Sequence, residues 1–352
     1  MSDEGSLASA CPQATVPKAT SHPQTDNASL MVGDGMLQIH PLRTDSHRAN
    51  GRPYAQIARR RDSGEITKLR TGVFLPTDEW NALSPVNRHR ILVTETFSLL
   101  RSDALASYRS AAALLGIPCL GTPPERVHVT DVRQGGQISA HVRHHRERRR
   151  PPATVVDGVP CTSPARTAID LARTLPFDSA LIAMDHVLHC RLATPQEIAA
   201  ELDALGRVRG SARARLVAAH ASDQAESPGE SLSRARMIQL AAPLPSLQKE
   251  FWDDRGLIGR TDFWWEDLLL VGEFDGAVKY GVGGGAPQVA ANEVVYREKL
   301  REDRIRAQGA RFLRWGWDDA ISIPRFTRLL VTAGVLAVSC APLPLYTYLG
   351  RE

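Results

Sequence analysis

The sequence predicts an α/β protein of the α+β kind, and three observations predict it. Short alternating runs such as "RVHVT" and "ISAHVRHH" read as strands. Amphipathic runs such as "SPARTAIDLART" and "FDSALIAMDHVLHC" read as helices between and after them. The last third sets an apolar hairpin, "RTDFWWEDLLLVGEFDG", between helical stretches, which is a mixed sheet flanked by helices.

The bulk properties set the frame. A chain of 352 residues suggests two or three domains. The formal net charge of +4 is mildly basic and permits a polyanionic partner without demanding one. Cys11, Cys119, Cys161, Cys190 and Cys340 have neither zinc-site nor redox spacing, so the expectation is a reduced, cytoplasmic protein without disulfides. No apolar run approaches a membrane span, and the N-terminus lacks the charged-then-apolar pattern of a secretory signal, so no membrane partner is expected.

Taken in order, residues 1–45 are Ser-, Pro- and Asp-rich without period and read as a disordered tail. In "PYAQIARRRDSGEITKLRTGVFLP", Pro53 suits a first helical turn, and Tyr54, Ile57, Ala58 and Arg61 follow at helical spacing. Ser63-Gly64 ends that helix, and two short strands then turn at Thr71-Gly72. A helix followed by a basic ribbon is the tail of a winged helix-turn-helix; its bland alternative is an ordinary helix-hairpin. "SDALASYRSAAALLGIP" reads as a helix capped by Ser102 and stopped at Gly116. "TVVDGVP" reads as a further strand. "TPQEIAAELDAL" carries a capping box, with Thr194 at N-cap and Glu197 at N3. Composition breaks at "SDQAESPGE". Beyond it come a helix from Pro228, a strand at "LQKEFW", the apolar hairpin, a Gly-rich loop, a charged helix over Asn292–Gln308, a strand at "ARFLRWGW" and a helix over Ile323–Ala333.

The hairpin raises the chemical question, because Asp262, Glu273, Asp275 and Lys279 lie close to its apolar run. Residues two apart share a strand face, so Glu273 and Asp275 project together. With a two-residue turn at Glu266-Asp267, Trp264 faces Leu269 and Asp262 stands one diagonal step from Glu273, about 7–8 Å away. Two carboxylates at that spacing suit one magnesium ion, and an ion there polarises a phosphoryl oxygen and activates water. Lys279 would neutralise or orient. Glu230 is a fourth candidate, with Ser227, Pro228 and Glu230 at N-cap, N1 and N3; the alternative is a capping box or a pair with Arg234. The alternative for the strand carboxylates is a salt-bridged sheet edge, with Arg260, Arg301, Arg304 or Arg314 as partners. "HVRHHRERRRPP" is the densest basic run, either a nucleic-acid contact or a solvated strand end.

"SPGESLSR…LQKEF…GRTDFWW…LLLVGEFDGAVKY…EKLREDRIRAQGARFLRWGW" resembles the PD-(D/E)xK nuclease superfamily, within it domains similar to very-short-patch-repair endonucleases. The resemblance implies a restriction-endonuclease-like sheet with the acidic roles on Glu230, Asp262 and Glu273. The sequence departs from the pattern at Asp275, where a lysine is usual; the nearest lysine is Lys279. "SGEITKLRTGVFLP", "SYRSAAALLGIP" and "DGVPCTSPARTAIDLART" resemble abortive-infection type IV antitoxins, which implies a winged-helix DNA-binding segment. By that resemblance, DNA contacts fall on Arg59, Arg60, Arg61, Lys68 and Arg70.

The expected organisation is a winged-helix-like segment over 46–85, an antitoxin-like α/β domain over 86–222, a nuclease-like domain over 225–335 and a tail over 336–352. The leading expectation is a DNA endonuclease dependent on Mg²⁺ or Mn²⁺, with catalytic Glu230, Asp262, Glu273, Asp275 and Lys279, of which Asp262, Glu273 and Asp275 hold the metal. The alternative is a non-catalytic DNA-binding regulator or antitoxin that keeps the nuclease fold and has a toxin protein as partner. A third is a protein-binding scaffold.

Overall fold

A computed structural model describes residues 41–43, 54–100, 103–132, 138–276 and 288–337. The protein is an α/β chain, with three separate sheets among the described residues. Its contacts divide it into two compact units, Met1–Asp170 and Leu171–Glu352, whereas the composition of the sequence breaks near residue 222. The helices on either side of that break explain the difference, since the Asp185 carboxylate accepts from Ser222 N–H and from Arg234.

The first unit opens with β1 (Leu42–Arg43), α1 (Tyr54–Asp62), β2 (Ile66–Arg70) and β3 (Val73–Pro76). The three strands form a sheet in the order β1-β3-β2. Ile57, Ile66 and Phe74 close a small core between α1 and the ribbon, which fixes the helix on the sheet. Two helices then follow that the reading of the sequence did not resolve, α2 (Thr77–Ala82) and α3 (Pro85–Phe97). The Ser84 hydroxyl caps α3 by accepting from Asn87 N–H.

A five-stranded mixed sheet follows, built from β4 (Leu105–Ala106), β5 (Val127–Asp131), β6 (Val142–Arg146), β7 (Ala153–Val156) and β8 (Val159–Thr162) in the order β6-β5-β4-β8-β7. "TVVDGVP" is thus a hairpin, turning at Asp157 and Gly158 with positive φ at both. The helix expected from Ser102 begins later, as α4 (Tyr108–Leu115) with Ser107 at its N-cap, because Leu105–Ala106 is drawn into the sheet instead. Val93, Ala106, Leu114, Val127, Val129, Val142 and Cys161 form the core beneath it. Helix α5 (Pro164–Thr174) carries the chain into the second unit.

The second unit starts with α6 (Phe177–His189), α7 (Pro195–Leu205) and α8 (Ser211–His220). The capping box of α7 is present: Glu197 N–H donates to the Thr194 hydroxyl, and the Glu197 carboxylate accepts from Thr194 N–H. After α9 (Pro228–Gln239) comes a four-stranded sheet of β9 (Ser246–Asp253), β10 (Gly256–Trp265), β11 (Leu270–Phe274) and β12 (Arg311–Trp315), ordered β12-β11-β10-β9. The first three are antiparallel neighbours; β12 lies parallel to β11, a pairing that needs a crossover, and α10 (Gln288–Arg306) supplies it. Helices α11 (Trp317–Ile321) and α12 (Ile323–Thr332) end the unit.

Side chains alternate across this sheet. One face carries Phe263, Trp265 and Trp315, with Phe326 of α12 edge-on to Trp315 and the Trp315 indole donating to Ser233 of α9. Gly272 sits under this aromatic layer; a Cβ there would come within 2.7 Å of Trp315 and 2.9 Å of Trp265, so the strand has room for no side chain at that point. The other face packs Phe251, Trp264, Val271 and Phe312 against Ile305 of α10. The four tryptophans of the hairpin and of β12 with its following turn thus include three buried core residues: Trp264, Trp265 and Trp315.

Cys119 and Cys161 are free, whereas Cys190 is disulfide-bonded, which corrects the expectation of a chain without disulfides. Among the described residues no helix is long and apolar enough to cross a membrane.

Candidate functional site

Two regions hold the residues that the sequence singles out. The first is the charged end of the α10 face of the second sheet. Strand β10 reverses through a turn at Glu266–Leu268 with Leu269 in the left-handed region at φ +44. The resulting register pairs Trp264 with Val271 and Phe263 with Gly272. This corrects the two-residue turn expected from the sequence, which paired Trp264 with Leu269. The longer turn moves the register by an even number, so the faces are kept while the partners change. The ladder ends at Phe263↔Gly272; Asp262 and Glu273 are the next residues on their strands, and the Asp262 carboxylate accepts from Phe274 N–H at 2.8 Å.

Gln248 of β9 lies between the pairs Thr261↔Lys249 and Phe263↔Leu247, and Glu273 pairs with Arg314 of β12. Glu273 and Arg314 are thus a paired polar step across β11 and β12, and Gln248 sits in β9 at φ +54. Glu273 is only 8% exposed, so its charge needs a partner. It has two. One oxygen accepts from Arg301, which reaches over from α10, and the other lies 2.9 Å from Arg314. Arg301 crosses the backbone of Gly259, where a Cβ would meet its Cδ at 2.8 Å. Burial alone would lower the Arg301 pKa; hydrogen bonds to Glu298 and the charge of Glu273 outweigh it and raise it. Arg314 is raised in the same way, against burial, by Glu273 and then Glu302. Arg314 also pairs with Glu298 at 3.2 Å and Glu302 at 2.9 Å.

The remaining candidates are placed as follows. Glu230, also buried, is N3 of α9: it accepts from the Ser227 hydroxyl at 2.7 Å, from Glu226 N–H at 3.0 Å and from the Gln248 amide at 3.0 Å. Arg234 is not its partner and pairs with Asp185 instead. Asp275 is half-buried just past β11, its N–H donating to Trp315 O. Lys279 lies outside the described residues. Arg260 pairs with Glu226 and Arg304 with Asp253.

A divalent ion needs free carboxylate oxygens. In this arrangement both Glu273 oxygens meet guanidinium groups, and Asp262 and Glu230 accept from N–H and O–H groups. Among the described residues no group of three or more His, Cys, Asp or Glu is placed to hold a metal ion. The set as arranged fits a salt-bridged row better than an ion site.

The second region is the ribbon of the first unit. Arg59 and Lys68 are exposed, and among the described residues neither enters an ion pair. Arg60 pairs with Glu65 at 2.6 Å and Arg61 with Asp62 at 2.7 Å, both at the surface. Arg70 departs from the expected role. Its Nε and Nη1 are buried without a hydrogen-bond partner, and burial lowers its pKa against the opposing charge of Glu95. Only Nη2 is left to meet a phosphate, so the ribbon's exposed cations are chiefly Arg59 and Lys68.

A polar group at the central sheet was not anticipated from the sequence. Ser110 accepts from His128 N–H and bonds His89 Nε2 at 2.9 Å, and His128 and His145 approach at 3.3 Å. Tyr108 stacks on His145 with centroids 3.9 Å apart, at φ +51, a conformation that costs on the order of 1 kcal/mol or more. Only the histidine-rich strand "HVRHH" could have hinted at it. Ser110 is fully buried and His89 2% exposed, whereas His128 and His145 are half-buried, and the His89 Nδ1 is buried without a hydrogen-bond partner.

Comparison with known proteins bears on the region between these two. Two relatives from Mycobacterium tuberculosis, the uncharacterized protein Rv2248 of strain H37Rv and the uncharacterized protein MT2308 of strain CDC 1551, are each 35% identical over 175 residues. That alignment covers 49% of this chain and 62% of each relative, so the chain spans about three-fifths of their length. A crystal structure of the RV2827C protein from Mycobacterium tuberculosis aligns over 60% of this chain and 83% of its own, at 13% identity and a TM-score of 0.31, too low to bear on the fold. Residues 104–217 match the family model described as the AbiEi antitoxin C-terminal domain.

Proposed function

We propose that this chain is a DNA-associated regulator of antitoxin type, non-catalytic, with a toxin protein as its functional partner. One observation carries the reading: a helix and basic ribbon, α1 with β2 and β3, precede the stretch that matches an antitoxin domain, with α2 and α3 between. A helix that precedes a ribbon in a β1-β3-β2 sheet is the arrangement expected of a winged helix. Exposed Arg59 and Lys68 supply sequence-independent attraction to phosphate, which positions a reader on the duplex. The PD-(D/E)xK-like character of the second sheet belongs to this proposal as a retained frame, with fold and chemistry separable.

A second reading is favoured by the row itself. Asp262 and Glu273 follow the last paired residues of two adjacent strands, a relation that a Mg²⁺- or Mn²⁺-dependent endonuclease would use, with Asp275, Glu230 and Lys279 as its further candidates. It requires Arg301 and Arg314 to leave Glu273. The experiment that separates the two is incubation of the full chain with labelled duplex DNA, with and without Mg²⁺ or Mn²⁺, beside Asp262→Ala. A shifted but intact duplex supports the regulator. Metal-dependent cleavage abolished by Asp262→Ala establishes the nuclease.

A further inference from the structure

Strand β6 is an edge strand, and its charge is unlike that of any helix or strand around it. The segment His141–Arg150 carries Arg143, Arg146, Arg148, Arg149 and Arg150 against one acid, Glu147. That acid is spoken for: Glu147 pairs with Arg166 at 2.5 Å, and Arg166 also holds Asp170. Arg150 donates to the backbone of Asp103. Arg143, Arg146, Arg148 and Arg149 are all exposed, and among the described residues none has a carboxylate or hydrogen-bond partner. By contrast, all four arginines of α10 are paired with carboxylates.

Arg146 and Arg148 line one cleft of about 510 Å³ together with Val132 and Glu147. Two residues apart in extended chain is about 6.6 Å, so both guanidinium groups reach the same concave surface. Arginine forks bond phosphate oxygens in pairs, and a flexible coat of solvated charge needs no cleft. Edge strands do use basic side chains to repel other strands, yet one or two suffice for that.

We infer that β6 and the turn after it form a second phosphate-backbone contact for duplex DNA, separate from the α1 ribbon. This rests on the DNA-associated reading above and names a surface that the reading does not require. DNA is favoured over an acidic protein because, among the described residues, Val132 is the one apolar side chain lining the cleft, and protein partners draw most of their affinity from buried apolar and aromatic anchors.

The test is a salt titration of full-length protein on a short fluorescent duplex of mixed sequence, read by anisotropy. Arg143→Gln, Arg146→Gln, Arg148→Gln and Arg149→Gln are combined in one variant, Arg59→Gln with Lys68→Gln in a second, and the four arginines replaced by lysine in a third. Each phosphate contact contributes about 0.9 to the slope of log affinity against log salt. The four-glutamine variant is expected to flatten the slope by about 3.6, so that its deficit against the parent grows on the order of 100-fold between about 200 and about 50 mM salt, while the lysine variant keeps most of the slope. Circular dichroism and an unchanged Tm establish that the variants fold. A parental slope in the four-glutamine variant, with the Arg59/Lys68 variant weakened, overturns the inference and leaves the DNA reading standing. Absence of binding by the parent protein overturns both. Equal displacement of the parent by poly-glutamate and by competitor duplex also overturns it, since a built phosphate site discriminates between them.

Discussion

The arginines of α10 and those of β6 are the same residue in two different roles. On α10 each one meets a carboxylate, and Arg301 and Arg314 close on the buried Glu273. On β6 and its turn, four stand at the surface and, among the described residues, meet no acid. The first arrangement satisfies a charge that the fold has buried. The second leaves charge available to something outside the chain. Counting cations would have ranked the two regions alike; asking what each guanidinium already holds separates structure from recognition.

The comparison breaks most visibly if Glu273 is removed. Glu273→Ala removes the buried acid between Arg301 and Arg314 and leaves them Glu298 and Glu302, and is expected to cost about 1–3 kcal/mol. Urea unfolding of the second unit's signal measures it; a loss below about 1 kcal/mol would mean the row contributes little. Glu273→Gln should recover part of the loss through its carbonyl oxygen.

Acid should act on the first unit next. Burial, then the charge of Arg109, holds His89 down at about 4, and burial, then His145 and Arg143, holds His128 at about 3. Both are depressed below the ordinary value of 6.5, so the folded state takes up fewer protons than the unfolded one. Stability is therefore intact above pH 6.5, falls as pH drops below it, and stops falling below the folded values. His89 alone should cost about 2 kcal/mol between pH 6.5 and 5, at about 1.4 kcal/mol per unit. A stability profile flat over that range would contradict the buried histidine cluster.

A smaller effect sharpens the role of local caps. Thr194→Ala removes the hydroxyl that caps α7 and should cost about 1 kcal/mol, read as a shift of the urea midpoint. The smallest stability effect belongs to the free cations. Arg59→Gln with Lys68→Gln should change stability by less than about 0.5 kcal/mol, as surface substitutions do, while flattening the DNA salt slope by about 2. A large stability loss there would mean that these side chains are structural after all.

Much of the fold was legible because periodicity and caps are local. The capping box at Thr194 and Glu197, the Pro228 helix start and the apolar strands of the second sheet each announce themselves within a few residues. The turn at Glu266–Leu269 was not legible, since whether it takes two residues or four depends on Leu269 adopting a left-handed conformation. That choice moved the partner of Trp264 from Leu269 to Val271. Parity survived the change, so the shared face was readable although the partner was not. The grip of Arg301 on Glu273 spans 28 residues and a helix crossover, and no local pattern encodes it. The antitoxin-like central stretch was readable from its motifs, and α2 and α3 were missed because "TDEWNA" and "PVNRHRILVTETF" lack a clean apolar stripe.

The central claim is that the Glu273 row is structural and that the chain meets DNA without cutting it. Its most direct test follows one labelled duplex through incubation with the full chain in Mg²⁺, first on a native gel and then on a denaturing one. The account predicts retarded migration on the first and an intact strand on the second. Shortened strands that vanish with Asp262→Ala would contradict it.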